Sequence, residues 1–245
     1  MDTTLDHCAL IAADSAALAD AAEANLGATV EHCPGWTVAD LVRHVLHVHW
    51  FWGTIVERKL TDEEQVGTAP EPAEADLIEA FRRGARRIVE ILAAADPTTP
   101  VWTWSSQHDV GFVIRHQVQE AAVHRWDAQH AAGRETPIDR AAAADAVDEF
   151  LTFSLPEPGD PNRESQQLLA ADLILATTDT DQAWTIRDGD VHGTVIATPG
   201  ATTGARVTGT ASDLLLWLYE RIDLPADGPD AAAVLGRFHA LTSGD

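Results

Sequence analysis

The chain has 245 residues, enough for one large domain or two small ones, and 45% of them are hydrophobic, as in a folded protein. Sixteen basic residues against 39 acidic ones leave a formal charge of −23, which argues against nucleic-acid backbones and anionic membrane surfaces as partners. Two cysteines, Cys8 and Cys33, are too few for a disulfide framework, and no stretch reads as a signal peptide or a membrane span. The expectation is a soluble cytoplasmic protein.

In chain order, a first helix is predicted from a cap at Thr3 or Thr4 to about residue 25, with alanines and leucines forming a small-residue face. Pro34 and Gly35 break the pattern, and T-V-A-D from Thr37 starts a second helix over roughly 37–60 in the manner of a capping box. Val38, Leu41, Val45, Val48, Trp52 and Ile55 give this helix a core stripe. Of its three histidines, His44 lies about 60° from the stripe, His49 about 80° on the other flank and His47 about 120° away. That order favours His44 as inward-facing and His47 as solvated. A polar loop spans 61–76, a third helix runs to residue 95 from about 72 or 76, and a tryptophan-bearing link leads to a fourth helix over about 110–132, ended by Gly133.

A further helix is read over 140–155, and the Pro- and Gly-rich stretch after it is the best domain boundary, giving domains at 1–155 and 165–245. Beyond it the period shifts towards two, which predicts short antiparallel strands in LLAADLILATTD, AWTIRDGD, HGTVIAT and ARVTGTA, with RDGD as a hairpin turn. Ser212 is read as the cap of the helix DLLLWLYERI, and a last helix spans about 231–241. The fold class is thus α + (α+β): a four-helix bundle followed by a small α+β domain.

Chemistry concentrates in QVQEAAVHRWDA on the fourth helix. Glu120 and His124 stand four apart, so they project side by side; with Val113, Gln117, Ala121, His124, Ala128 and Ala131 as the buried seam, His124 lies on it and Glu120 about 60° off. Two readings fit: a hydrogen-bonded Glu/His pair, or two ligands of one cation. His44 likewise reads as a satisfied core histidine or as a third ligand. Together His44, Glu120 and His124 form a two-histidine, one-carboxylate set with open coordination positions, suited to zinc and also to Fe(II) or Ni(II).

Other residues carry paired readings. His116, about 100° off the seam, is assigned to the surface, and Asp127 is either an acceptor for a metal-bound histidine or a solvated acid. Cys33 is reactive or a small buried filler. Arg221 either reaches a substrate carboxylate or simply favours a helix carboxyl end.

Four motifs, C-P-G-W-T-x-x-D-L-x-x-H at 33–44, R-x-x-x-x-E-x-x-x-H-R-W-D-A at 115–128, D-A-V-D-E-F at 145–150 and A-S-D-L-L-L-W-L-Y-x-R at 211–221, resemble the mycothiol-dependent maleylpyruvate isomerase family of actinobacteria. The resemblance implies a DinB-like metal-binding bundle, a sterol-carrier-like carboxyl-terminal domain, and zinc or another divalent metal on His44, Glu120 and His124. It further implies mycothiol as cosubstrate, its thiolate adding to the cis double bond of maleylpyruvate and leaving after rotation to give fumarylpyruvate; relatives transfer the thiol to other electrophiles. Arg221 matches the place of a basic clamp for substrate carboxylate. Gln119 stands where the family often has histidine, and the whole-chain pattern is closer to the broad branch of the family than to the true isomerases. The partners implied are a small electrophile and a low-molecular-weight thiol, with the protein a monomer or homodimer. The rival expectations are a zinc hydrolase that uses metal-bound water and a non-enzymatic module whose metal has its fourth position filled by His47 or His49.

Overall fold

The computed structural model describes residues 5–155, 168–191 and 194–242, and the chain divides into two compact units, residues 1–138 and 139–245. The first unit holds helices α1 (His7–Ala22), α2 (Val38–Arg58), α3 (Leu77–Ala94) and α4 (Val110–Ala131). Three of them, α1, α2 and α4, begin where a side chain satisfies free N–H groups. Asp6 accepts from Ala9 N at 3.0 Å and caps α1; Thr3 and Thr4 lie outside the described residues. Thr37 and Asp40 form the expected reciprocal box on α2, and Asp109 accepts from Phe112 N at 3.0 Å to start α4. Gly133, at φ +64, follows the end of α4 in the left-handed conformation that glycine adopts freely.

The four helices close into a bundle whose directions follow from pairwise contacts. His44 of α2 faces His124 of α4 while Trp52 faces Phe112 and His116, so these two helices are antiparallel. On the other side Gly53 and Gly84 let α2 and α3 approach: a Cβ at Gly84 would stand 2.8 Å from Leu46. Leu41, Val45, Ile55, Phe81, Ile88, Val113 and Ala121 are fully buried between them, which bears out the α2 stripe except at Val48, which is half-buried.

The second unit opens with α5 (Arg140–Phe153), capped by Asp139. This helix packs on α6 (Ala211–Leu218), and its Asp148 accepts from the indole N–H of Trp184 at 3.1 Å, so it lies within the second unit. The Pro- and Gly-rich stretch read as the boundary falls mostly outside the described residues. The strands β1 (Leu173–Thr177), β2 (Ala183–Asp188), β3 (Val195–Pro199), β4 (Ala205–Gly209) and β5 (Ala226–Asp227) form one sheet in the order β3-β2-β1-β4-β5, and α7 (Ala231–Thr242) follows. Four of the strands are those the alternation predicts. Two features differ from the expectation. β1 and β4 run parallel, because the β2-β3 hairpin takes one edge of β1 and the chain returns along the other. The cap of α6 is Thr210, boxed with Asp213, while Ser212 is buried in the first turn.

Candidate metal centre

His44 projects from the second turn of α2, and Glu120 and His124 from successive turns of α4, so antiparallel packing brings the three together. His44 Nε2 lies 3.1 Å from Glu120 Oε1, and His124 Nε2 lies 3.4 Å from the same oxygen. The two imidazoles meet edge to face at 5.0 Å. One donor atom from each residue falls within 4.8 Å of the others, and among the described residues this is the one such grouping of histidine, cysteine or acidic side chains. His44 remains 37% exposed while Glu120 and His124 are 17% and 12% exposed, so the cluster can be reached from solvent past His44. Trp36 packs on the outer side of that ring at 5.1 Å.

Asp127 sets the character of the cluster. Its carboxylate is fully buried and lies 3.0 Å from His124 Nδ1, which selects the acceptor reading over the solvated acid. An Nδ1–H donated to Asp127 leaves Nε2 of a neutral His124 with a lone pair directed at the Glu120 carboxylate. Two electron-rich atoms facing one another at 3.4 Å need a cation between them, whether a proton or a metal. The spacings fit a metal: ligand atoms around a tetrahedral ion with bonds of about 2.0–2.1 Å stand roughly 3.3 Å apart. Burial by itself would raise the Glu120 carboxyl, but the neighbouring His124 and His44, and more weakly His116, hold it down at about 2. With a positive charge beside it, imidazolium or metal ion, it is therefore an anion.

The histidines of α2 sort differently from the helical-wheel order. His49 is the buried one, 1% exposed, stacked on Phe81 at 5.8 Å, and desolvation lowers its pKa to about 4 against the partial pull of Glu120. His47 meets Glu71 at 3.2 Å. Helical spacing on α2 carries no information on α3, which covers the flank bearing His49. Neither residue joins the cluster as a fourth ligand. His116, read as a surface residue, is half-buried: it stacks on Phe112 at 5.3 Å, meets the edges of Trp52 and Trp104, and lies 2.9 Å from the Gln119 amide. Cys33 is in no disulfide and lies half-buried against the bundle core. Arg221 belongs to the second unit, past the end of α6, where its guanidinium donates to Tyr219 O at 2.7 Å and lies 6.0 Å over the Tyr219 ring.

Bundle and cluster define a class: a protein whose amino-terminal four-helix bundle presents a two-histidine, one-carboxylate centre and whose carboxyl-terminal unit is a small α+β fold. Comparisons with known proteins agree with it. The family described as the mycothiol maleylpyruvate isomerase N-terminal domain matches residues 8–129, and the corresponding MDMPI C-terminal domain matches residues 141–240. The chain belongs to this family. Two solved structures, the mycothiol-dependent maleylpyruvate isomerase and a histidine-to-alanine mutant of it, each superpose with a TM-score of 0.61 at 11% identity, covering 91% of this chain and 92% of theirs. At that identity the likeness shows a shared fold. No curated protein sequence matches the chain.

Proposed function

We propose that the protein is a metal-dependent enzyme that uses a low-molecular-weight thiol, mycothiol, on a small electrophile, either as isomerase of a cis-enoic acid such as maleylpyruvate or as thiol S-transferase. His44, Glu120 and His124 would hold a divalent ion, zinc first. The observation that carries this reading is the convergence of His44 Nε2 and His124 Nε2 on one oxygen of Glu120, with His124 Nδ1 held on its other side by the buried Asp127. Bound there, such an ion would keep a neighbouring thiol in its thiolate form at neutral pH.

The protein's own groups then have separate tasks. Asp127 holds the ring of His124 in one tautomer and orientation. The exposed side of His44 leaves an approach for thiol and electrophile, with Trp36 walling one flank. Arg221 is the proposed clamp for a substrate carboxylate, its planar fork suited to two parallel hydrogen bonds. In the isomerase form of the reaction the thiolate sulfur adds to one alkene carbon, the electron pair moves onto the conjugated carbonyl, the new single bond rotates, and the pair returns to expel the thiolate.

Metal analysis of chelator-free protein beside His124→Ala tests the centre, with about one ion per chain expected in the first and a large loss in the second. Equal metal content would remove the basis for the reading. Turnover of candidate cis-enoic acids with and without mycothiol tests the chemistry: strict thiol dependence is expected, and thiol-independent hydrolysis would point to bound water as nucleophile instead.

A further inference from the structure

One turn below the proposed metal centre, the bundle buries two polar side chains that no protein group satisfies. His49 is 1% exposed and Gln117 is fully buried, and neither ring nitrogen of the first nor either amide atom of the second has a hydrogen-bond partner among the described residues. Gln117 lies on the predicted seam of α4, and His49 on the flank of α2 that α3 covers. Counting along the antiparallel pair from the His44–His124 contact to the Trp52–Phe112 contact puts His49 and Gln117 at matching levels, next to Glu120.

Buried donors and acceptors in folded proteins are almost always satisfied, by protein or by internal water. His49, kept neutral by its burial, offers one donor and one acceptor, and Gln117 offers two donors and an acceptor; water has the complementary set. Glu120 makes both of its imidazole contacts through Oε1, and its second oxygen is the natural end of a chain of such bonds.

We propose that His49 and Gln117 hold internal water that hydrogen-bonds to the Glu120 carboxylate, making both of them positioning residues for the metal centre. Their role rests on the metal-binding reading above, and it is to stop the carboxylate from turning away from the two imidazoles when the ion is absent. Partners of this kind behind a ligand commonly change metal affinity 10- to 100-fold.

The experiment measures zinc affinity of the full chain by chelator competition for the wild type, His49→Phe, Gln117→Met and His49→Gln. Phenylalanine preserves the stacking on Phe81 and methionine the length of Gln117, but both remove the hydrogen bonds. Each is expected to bind zinc at least about tenfold more weakly, while His49→Gln stays within about threefold of the wild type. Thermal unfolding of the chelated chain is expected to be unchanged or higher for the two apolar variants, because each keeps its packing and leaves one fewer buried polar side chain to satisfy. Since the two substitutions lie on different helices, a folding failure in one leaves the other decisive. A wild type without zinc affinity would refute the metal reading itself, whereas tight zinc binding that neither variant weakens would refute this proposal alone. Crystals of the chain, with or without zinc, read the water directly: ordered solvent bonded to His49 and Gln117 is expected, and a dry contact would overturn it.

Discussion

Asp127 decides which nitrogen of His124 is available, and a single neutral substitution tests that role. Asp127→Asn is expected to weaken zinc binding about 10- to 100-fold with little change in fold, measured by chelator competition and circular dichroism. His49 gives a second residue-level outcome. Its pKa falls from an ordinary value near 6.5 to about 4, so on acidification the unfolded chain takes up a proton before the folded one does. In metal-free protein, the His49 contribution to stability is therefore flat above neutral pH and declines as pH falls from 6.5 to 4, by about 2 kcal/mol between pH 7.5 and 5. Glu120, with its pKa depressed to about 2, loses its contribution only below about pH 4.5, under the lower of the two pH values compared. Urea unfolding of wild type and His49→Phe at the two pH values isolates the effect, which should vanish in the variant. Helical spacing makes the Glu120–His124 pair legible, because four residues on one helix place two side chains together whatever the rest of the fold does, whereas His44, on another helix, stays open between core histidine and third ligand until the motif resemblance is added. The burial of His49 was not legible, since it depends on where α3 lies.

At the level of elements, caps and periods carried most of the information, and strand direction carried none. T-x-x-D marks two helix starts in this chain, at Thr37 and at Thr210. The second was obscured by Ser212, a hydroxyl directly before an acid, although the box spacing belongs to Thr210. Thr210→Ala should therefore cost about 1 kcal/mol in chemical unfolding, comparable to Thr37→Ala. Alternating residues revealed four strands, yet a parallel β1-β4 pair and an antiparallel one share the same period of two. The two-residue β5 is too short to leave a pattern. Close packing beside the parallel pair gives another outcome: a Cβ at Gly204 would collide with the Asp172 carbonyl, so Gly204→Ala should destabilise by about 1–3 kcal/mol. Normal stability in that variant would contradict the backbone approach. The partner of α5 was equally hidden, because its alanine-rich face would fit either unit, and the contact with α6 and Trp184 exists only in the fold.

On the scale of the whole molecule, the two units coincide with the two matched family domains, and the change from helical to alternating period had already indicated two architectures in one chain. No helix among the described residues is long and apolar enough to cross a membrane. The net charge of −23 is spread through the sequence, but three of the groups that matter most, His44, Glu120 and His124, are gathered at one place where an anion faces two imidazoles. The measurement that bears most directly on the account is zinc stoichiometry and affinity of the intact chain by calorimetry, run beside His44→Ala, Glu120→Ala and His124→Ala. One ion per chain bound by the wild type, and lost or greatly weakened in all three variants, is the result expected. Zinc binding that persists at wild-type affinity in any of the three variants, or a wild type that binds none, would contradict it.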